Sequence, residues 1–143
     1  MPEESTTPDL EEAIRRLTDA ANRRPPDYDG ALAMYAQDAV VDNTQVGVGL
    51  FAGREEIRSF FEDWIASYED FEQVLEEVRD LGNGVTFALI FLRGRLAASS
   101  AFIEFRYAGV STWRDGLVER VTTYIDIDEA RAAGERLAAS RRR

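Results

Sequence analysis

The sequence contains no histidine and no cysteine, and because all 17 basic residues are arginine it contains no lysine either. Each absence removes a class of chemistry. Without cysteine there is no disulfide, no thiolate nucleophile and no cysteine-based zinc site. Without histidine there is no Ser-His-Asp triad and no histidine metal cluster. Without lysine there is no Schiff base. No side chain that remains titrates near neutrality in its unperturbed form. Any acid or base here is an Asp, Glu or Tyr moved by its surroundings, or a positioned water. Long apolar runs are also missing: the stretch from Val85 to Leu92 is far too short to span a bilayer. Basic character is scarce, with 27 acids against 17 bases and a net charge of −10, which argues against nucleic acid as a partner. The opening segment is acidic and has no apolar signal core. The expectation is a cytoplasmic protein with no membrane or nucleic-acid partner, no metal and no cofactor.

What is present suits one domain: 143 residues, 45% of them hydrophobic, are enough to bury a real core. Residues 1–8 are polar with two prolines and read as a disordered tail. Residues 9–138 read as the domain, and 139–143 as a solvated basic tail. Asp9 is a candidate N-cap, followed by Leu10, Ala13, Ile14, Leu17 and Ala21 at helical spacing. A short second helix is expected to carry Ala31, Leu32, Met34 and Tyr35, followed by a brief strand from Ala39 to Asn43. Gly53-Arg54-Glu55-Glu56 opens a third helix whose apolar stripe is Ile57, Phe60, Phe61, Trp64, Ile65 and Tyr68.

The period then changes. Residues 71–81 fit a helix or a strand, and the strand suits the long strands expected after it. Asn83-Gly84 and Asp115-Gly116 are hairpin signals. They join strands at 85–95, 101–113 and 117–127, before a closing helix from Asp128. This order predicts an α+β fold: a curved, mainly antiparallel sheet wrapped around three N-terminal helices, with a C-terminal helix. Such a sheet leaves a cone-shaped pocket open at its mouth.

Three segments carry a family resemblance. Tyr35-Ala36-Gln37-Asp38-Ala39-Val40-Val41 resembles the YAxDA start of the first strand in the nuclear-transport-factor-2-like superfamily. Gly53-Arg54-Glu55-Glu56-Ile57 resembles its GREAI helix start, and Trp113-Arg114-Asp115-Gly116-Leu117-Val118 its last hairpin. Order and spacing cover roughly residues 9–135, and the SnoaL-like group is the most similar. The resemblance implies the cone fold and a pocket. Its members include polyketide cyclases, steroid Δ-isomerases, limonene-epoxide hydrolases and purely binding proteins, so it does not imply one reaction.

Carrying the relatives' residues over is informative because much of it fails. The steroid isomerases' catalytic aspartate falls on Asn43, and their oxyanion-hole aspartate on Gly109; Tyr35 matches a supporting tyrosine. The epoxide hydrolases' Arg-x-Asp pair falls on Ile90 and Leu92, and their second aspartate on Thr123. Their water-positioning asparagine matches Asn43, while their nearby tyrosine falls on Val41.

Strand alternation then proposes a wall. Val41, Asn43, Ile90, Leu92, Gly109, Thr123 and Ile125 face in, together with Tyr35 and with Phe61 and Trp64 from the third helix. The packed-core reading applies equally to each apolar member. Asp42 is the sharpest charged candidate, because burial beside Val41 would raise its pKa and make it a base near neutrality. The alternative is an aspartate bonded to the glycine-rich loop. Asp126 is either a working acid, as in SnoaL-like cyclases, or a helix cap. Arg93 and Arg95 alternate with Phe91 on the opposite face, where Glu104 and Arg106 are expected to pair with them and a second copy of the chain to dock. The reading is a protein that binds a small apolar molecule, with an isomerase, cyclase or hydratase activity through a carboxylate and Asn43 left open. The alternatives are a non-catalytic binding or dimerisation module and an epoxide hydrolase with a rearranged site.

Overall fold

Asp9 caps the first helix by accepting from the Glu12 amide at 3.1 Å, so the expected start of α1 (Leu10–Asn22) holds. The computed structural model describes residues 9–141. The expected tail at 1–8 and the last two arginines lie outside the described residues. The helix α2 spans Tyr28–Leu32 and is capped by Asp27, whose side chain accepts from the Gly30 amide. The first strand, β1 (Tyr35–Asn43), pairs with a short β2 (Gly49–Ala52) before α3 (Arg54–Ala66). A run of long strands comes next: β3 (Tyr68–Gly82), β4 (Val85–Leu96), β5 (Phe102–Arg114) and β6 (Leu117–Tyr124). The chain closes with α4 (Ile127–Ser140).

The six strands form one sheet in the order β2-β1-β6-β5-β4-β3. Every neighbouring pair is antiparallel except β1 and β6, which run parallel. The sheet is mixed and open, as expected of a cone. Register shifts interrupt β1–β6, β3–β4 and β5–β6, and bulges of this kind bend a sheet. The segment 71–81 is strand.

Both hairpin turns arise from sequence chemistry. Asn83 and Gly84 have φ of 56° and 74°, and Asp115 and Gly116 have 55° and 79°. Two consecutive positive φ values give the turn that matches strand twist. The Gly-Arg-Glu-Glu segment is also explained. Gly53 adopts φ 88° and its amide donates to Ala39 O at 2.7 Å. Arg54 donates from Nε and Nη2 to Tyr35 O at 2.9 and 2.6 Å, and Glu56 accepts from the Ala52 amide. These bonds seat α3 against β1.

Two cores lie on opposite sheet faces. On the inner face Leu10, Ile14, Leu32, Tyr35, Val41, Ile57, Ala88, Trp113 and Val118 pack with α1, α2 and α3. On the outer face α4 covers Val85, Phe87, Ala108 and Val110 through Ala130 and Ala138. That explains why β4 reads as a nearly continuous apolar run: half of it is covered on both sides.

Three boundaries differ from expectation. Tyr35 begins β1 rather than ending a helix, because its register partner is Val118 and the Val118 amide donates to Met34 O. The last strand stops at Tyr124, because Asp126 turns the chain into α4. Ala139 and Ser140 belong to α4 rather than to a tail. Arg141 donates to Asn83 O, Trp113 O and Glu119, which ties the helix end to both hairpins.

Candidate functional site

A cavity of about 390 Å³ lies between the inner face of the sheet and the three N-terminal helices. Sheet register builds its floor. Ala88 pairs with Gly109 and Gly109 with Thr123. Asp42 lies opposite Thr122 on the parallel β1–β6 pair, which puts Asn43 beside Thr123. Asn43, Thr123, Gly109 and Ala88 therefore form one row across four strands. Val41 and Val121 pair beside it, and Val121 pairs with Ser111. On the other side of the row Tyr107 pairs with Ile90.

Aromatic rings form the opposite wall. Phe60 and Trp64 from α3 stack at 5.8 Å, and Phe60 stacks on Phe51 at 4.6 Å. Phe61 meets Tyr35 edge-on at 5.9 Å, and Trp64 meets Tyr107 edge-on at 6.2 Å. Helical spacing sets this, since residues 57, 60, 61 and 64 lie on one side of α3.

Of the expected wall residues, Tyr35, Val41, Asn43, Phe61, Trp64, Ile90, Gly109, Thr123 and Ile125 line the cavity, with Ile125 exposed at its rim. Leu92, Asp42 and Asp126 do not. Leu92 has the correct face, but it is fully buried between its strand partners Gln73 and Phe105. Gln73 Nε2 donates to the Tyr107 hydroxyl at 2.5 Å, which carries a bond over β4 on that face.

The expectation for Asp42 is corrected. Its side chain points away from the cavity because Val41 and Asn43 point in. Its Oδ1 accepts from the Thr44 hydroxyl and amide at 2.6 and 3.0 Å, and its Oδ2 from Arg120 at 2.6 Å. The Thr44 bonds first, and Arg120 after them, hold its pKa below the ordinary aspartate value. Asp42 is the aspartate bonded to its loop. The expectation for Asp126 as a working acid is likewise corrected: it caps α4, accepting from the Glu129 amide at 3.0 Å.

The outer-face arginines find acids, but on β3 rather than β5. Arg93 pairs with Glu72, Arg95 with Asp70 and Arg106 with Glu76. Register explains this, because Arg93 lies directly opposite Glu72.

The only charged residue on the cavity wall, among the described residues, is Asp27, and its carboxylate is already the α2 cap. The other polar groups are neutral. Asn43 is 5% exposed, and its amide makes no hydrogen bond among the described residues. Tyr35 is buried, and burial pushes its phenol pKa well above the ordinary value. Burial does the same to Tyr107, with Tyr35 adding to the rise and the Gln73 bond opposing it. Both phenols hold their protons at any pH near neutrality. Tyr107, Gln73 and Ser111 escape the sequence reading. For Tyr107 and Ser111 the signal exists: they sit two residues either side of Gly109, so the alternation that turns Gly109 inward turns them inward too. Gln73 lies in the segment with ambiguous period.

The comparisons with known proteins agree with this geometry. The family model of the SnoaL-like domain matches residues 14–121. Among solved structures, a candidate SnoaL-like polyketide cyclase from a Jannaschia species is similar at TM-score 0.74 and 14% identity, covering 94% of this chain and 97% of that one. An NTF2-like protein of unknown function from Burkholderia pseudomallei is similar at TM-score 0.72 and 17% identity, covering 86% and 95%. A hypothetical protein with a ketosteroid isomerase-like fold from Catenulispora acidiphila, solved in complex with trimethylamine, is similar at TM-score 0.70 and 14% identity, covering 90% and 94%. At these identities the likeness is one of fold. No curated protein matches the chain significantly. No helix among the described residues is long and apolar enough to cross a membrane.

Proposed function

The chain belongs to the SnoaL-like domain family, and from that membership we propose that it binds a small, neutral, apolar molecule in the cone cavity. One observation carries the reading: the wall is apolar and aromatic, and its sole charged side chain, Asp27, is engaged in capping a helix. A charged ligand would be stripped of water there without a counter-ion, at a cost of several kcal/mol. An apolar one gains about 25 cal/mol for each Å² it buries. Asn43 supplies a neutral polar handle on the floor.

Isomerisation, cyclisation or hydration through a carboxylate receives less support. Asp42 and Asp126 are both committed to other partners outside the cavity. The part of the outer face not covered by α4 carries Phe91, Arg93, Arg95 and Arg106, with Val74 and Phe102 exposed. We take this face as the contact for a second copy of the chain, and light scattering at micromolar concentration tests it: a strictly monomeric mass would remove it.

The ligand reading is tested with tetralin, a bicyclic hydrocarbon, in a thermal unfolding assay. A Cβ at Gly109 would meet only Val121 Cγ1, at 3.6 Å, so Gly109→Leu fills the cavity without a backbone clash. Binding stabilises the folded state in proportion to the logarithm of ligand excess. Saturating tetralin raises the Tm of the wild type and leaves that of Gly109→Leu unmoved. Equal response of the two proteins, or no response in the wild type, overturns the reading.

A further inference from the structure

We propose that Tyr107 selects the ligand by donating its phenolic hydrogen to a carbonyl oxygen, so that the molecule held in the cavity is a neutral ketone or aldehyde rather than a hydrocarbon. This rests on the cavity being a binding site.

The argument begins with the Gln73 bond. Gln73 is 7% exposed, and its Nε2 donates to the Tyr107 oxygen at 2.5 Å. The acceptor side of the phenol is thereby used. What remains is the O–H hydrogen, which has no acceptor among the described residues. Gln73 is itself held in place. The Asn22 side chain donates to Gln73 O at 2.8 Å and accepts from its amide at 2.9 Å, which fastens the end of α1 to β3. The Tyr107 ring is held by the edge-on Trp64 indole at 6.2 Å. A phenol with a fixed ring and a fixed acceptor contact has its hydrogen confined to few directions.

The surroundings then choose the acceptor. Burial keeps the phenol protonated, so it acts as a donor and not as a phenolate. The wall offers no cation to accompany a carboxylate ligand. A hydrocarbon would desolvate the O–H and leave it unpaired, which is unfavourable for any buried donor. A neutral carbonyl satisfies the hydrogen and brings no donor of its own that needs a partner.

The test compares α-tetralone with tetralin, which share a skeleton and differ by the carbonyl. Affinities for wild type and Tyr107→Phe are measured by equilibrium dialysis. Loss of one neutral hydrogen bond corresponds to about a fivefold fall in affinity. The expected result is that fall for α-tetralone in Tyr107→Phe, with tetralin binding unchanged or tighter. A second readout is the infrared carbonyl stretch of bound α-tetralone. It shifts to lower frequency in the wild type and loses that shift in Tyr107→Phe, which a merely structural role for the ring would not produce. If both probes bind and the substitution affects them equally, or the carbonyl stretch is the same in both proteins, Tyr107 is not the selector and the apolar container stands. If neither probe binds the wild type, both readings fall together.

Discussion

Arg131 on α4 holds Glu77 on β3 with two guanidinium nitrogens, at 2.7 and 2.8 Å, while its own charge lies over the Phe87 ring at 4.7 Å. The pair joins the C-terminal helix to an edge strand. Arg131 first, with Arg79 adding to it, brings the Glu77 pKa down from an ordinary 4.5 to about 2. A carboxylate with a depressed folded-state pKa stabilises the fold above its unfolded pKa, and that contribution is lost as pH falls through the folded value. Urea midpoints are therefore expected to decline between about pH 4.5 and 2. Glu77→Gln removes part of that decline and is itself less stable at pH 7. Parallel pH curves for the two proteins would contradict this.

Thr86 and Trp113 make the second testable contact. The indole Nε1 donates to Thr86 Oγ1 at 2.9 Å, with both residues buried. Thr86→Val keeps the shape and orphans the indole donor, which costs about 1–3 kcal/mol. In a Trp113→Phe background the same change costs much less, because no donor is left to orphan. Urea unfolding of the four proteins gives the coupling energy, and a value near zero would refute the contact's importance.

Two glycines with similar φ separate strain from crowding. Gly84 has φ 74°, and a Cβ there would lie 2.9 Å from Trp113 O; Gly47 has φ 79° and open space around it. Gly47→Ala carries only the left-handed strain, about 1–2 kcal/mol. Gly84→Ala adds a backbone clash and is expected to lose measurably more in thermal unfolding. Equal losses would show that the hairpin gives way freely.

Asp42→Asn tests the placement of this carboxylate outside the cavity. The substitution weakens the contacts with Arg120 and Thr44 but leaves the wall untouched. Tetralin affinity by equilibrium dialysis is expected to stay within about twofold, the ordinary scale of a surface change. A tenfold loss would place Asp42 in the binding machinery.

Much of the fold is legible because its signals are local. Asn83-Gly84 and Asp115-Gly116 can hardly be anything but hairpin turns, and Asp9 and the α3 stripe are equally direct. Period-2 alternation also puts Val41, Asn43, Thr123 and Ile125 on one face, where the structure has them. The features that escape depend on partners distant in sequence. Tyr35 is drawn into a strand by Val118, 83 positions later. The Gln73–Tyr107 bond spans 34 positions and crosses an intervening strand; no periodicity in either segment announces it. Asp42 is misjudged for the same reason, since Arg120 reaches it from 78 positions away.

The row Asn43, Thr123, Gly109 and Ala88 has a consequence for how such a protein changes over generations. Each member hangs from a different strand, and each strand's backbone is held by its ladder whatever side chain it bears. Exchanging one member alters the floor at a single point and leaves its neighbours' positions alone. The scaffold can thus be retuned for a new guest in single substitutions, each tolerable on its own. Gly109, with space for a larger residue beside Val121, is the position where such a lineage has the most room to move.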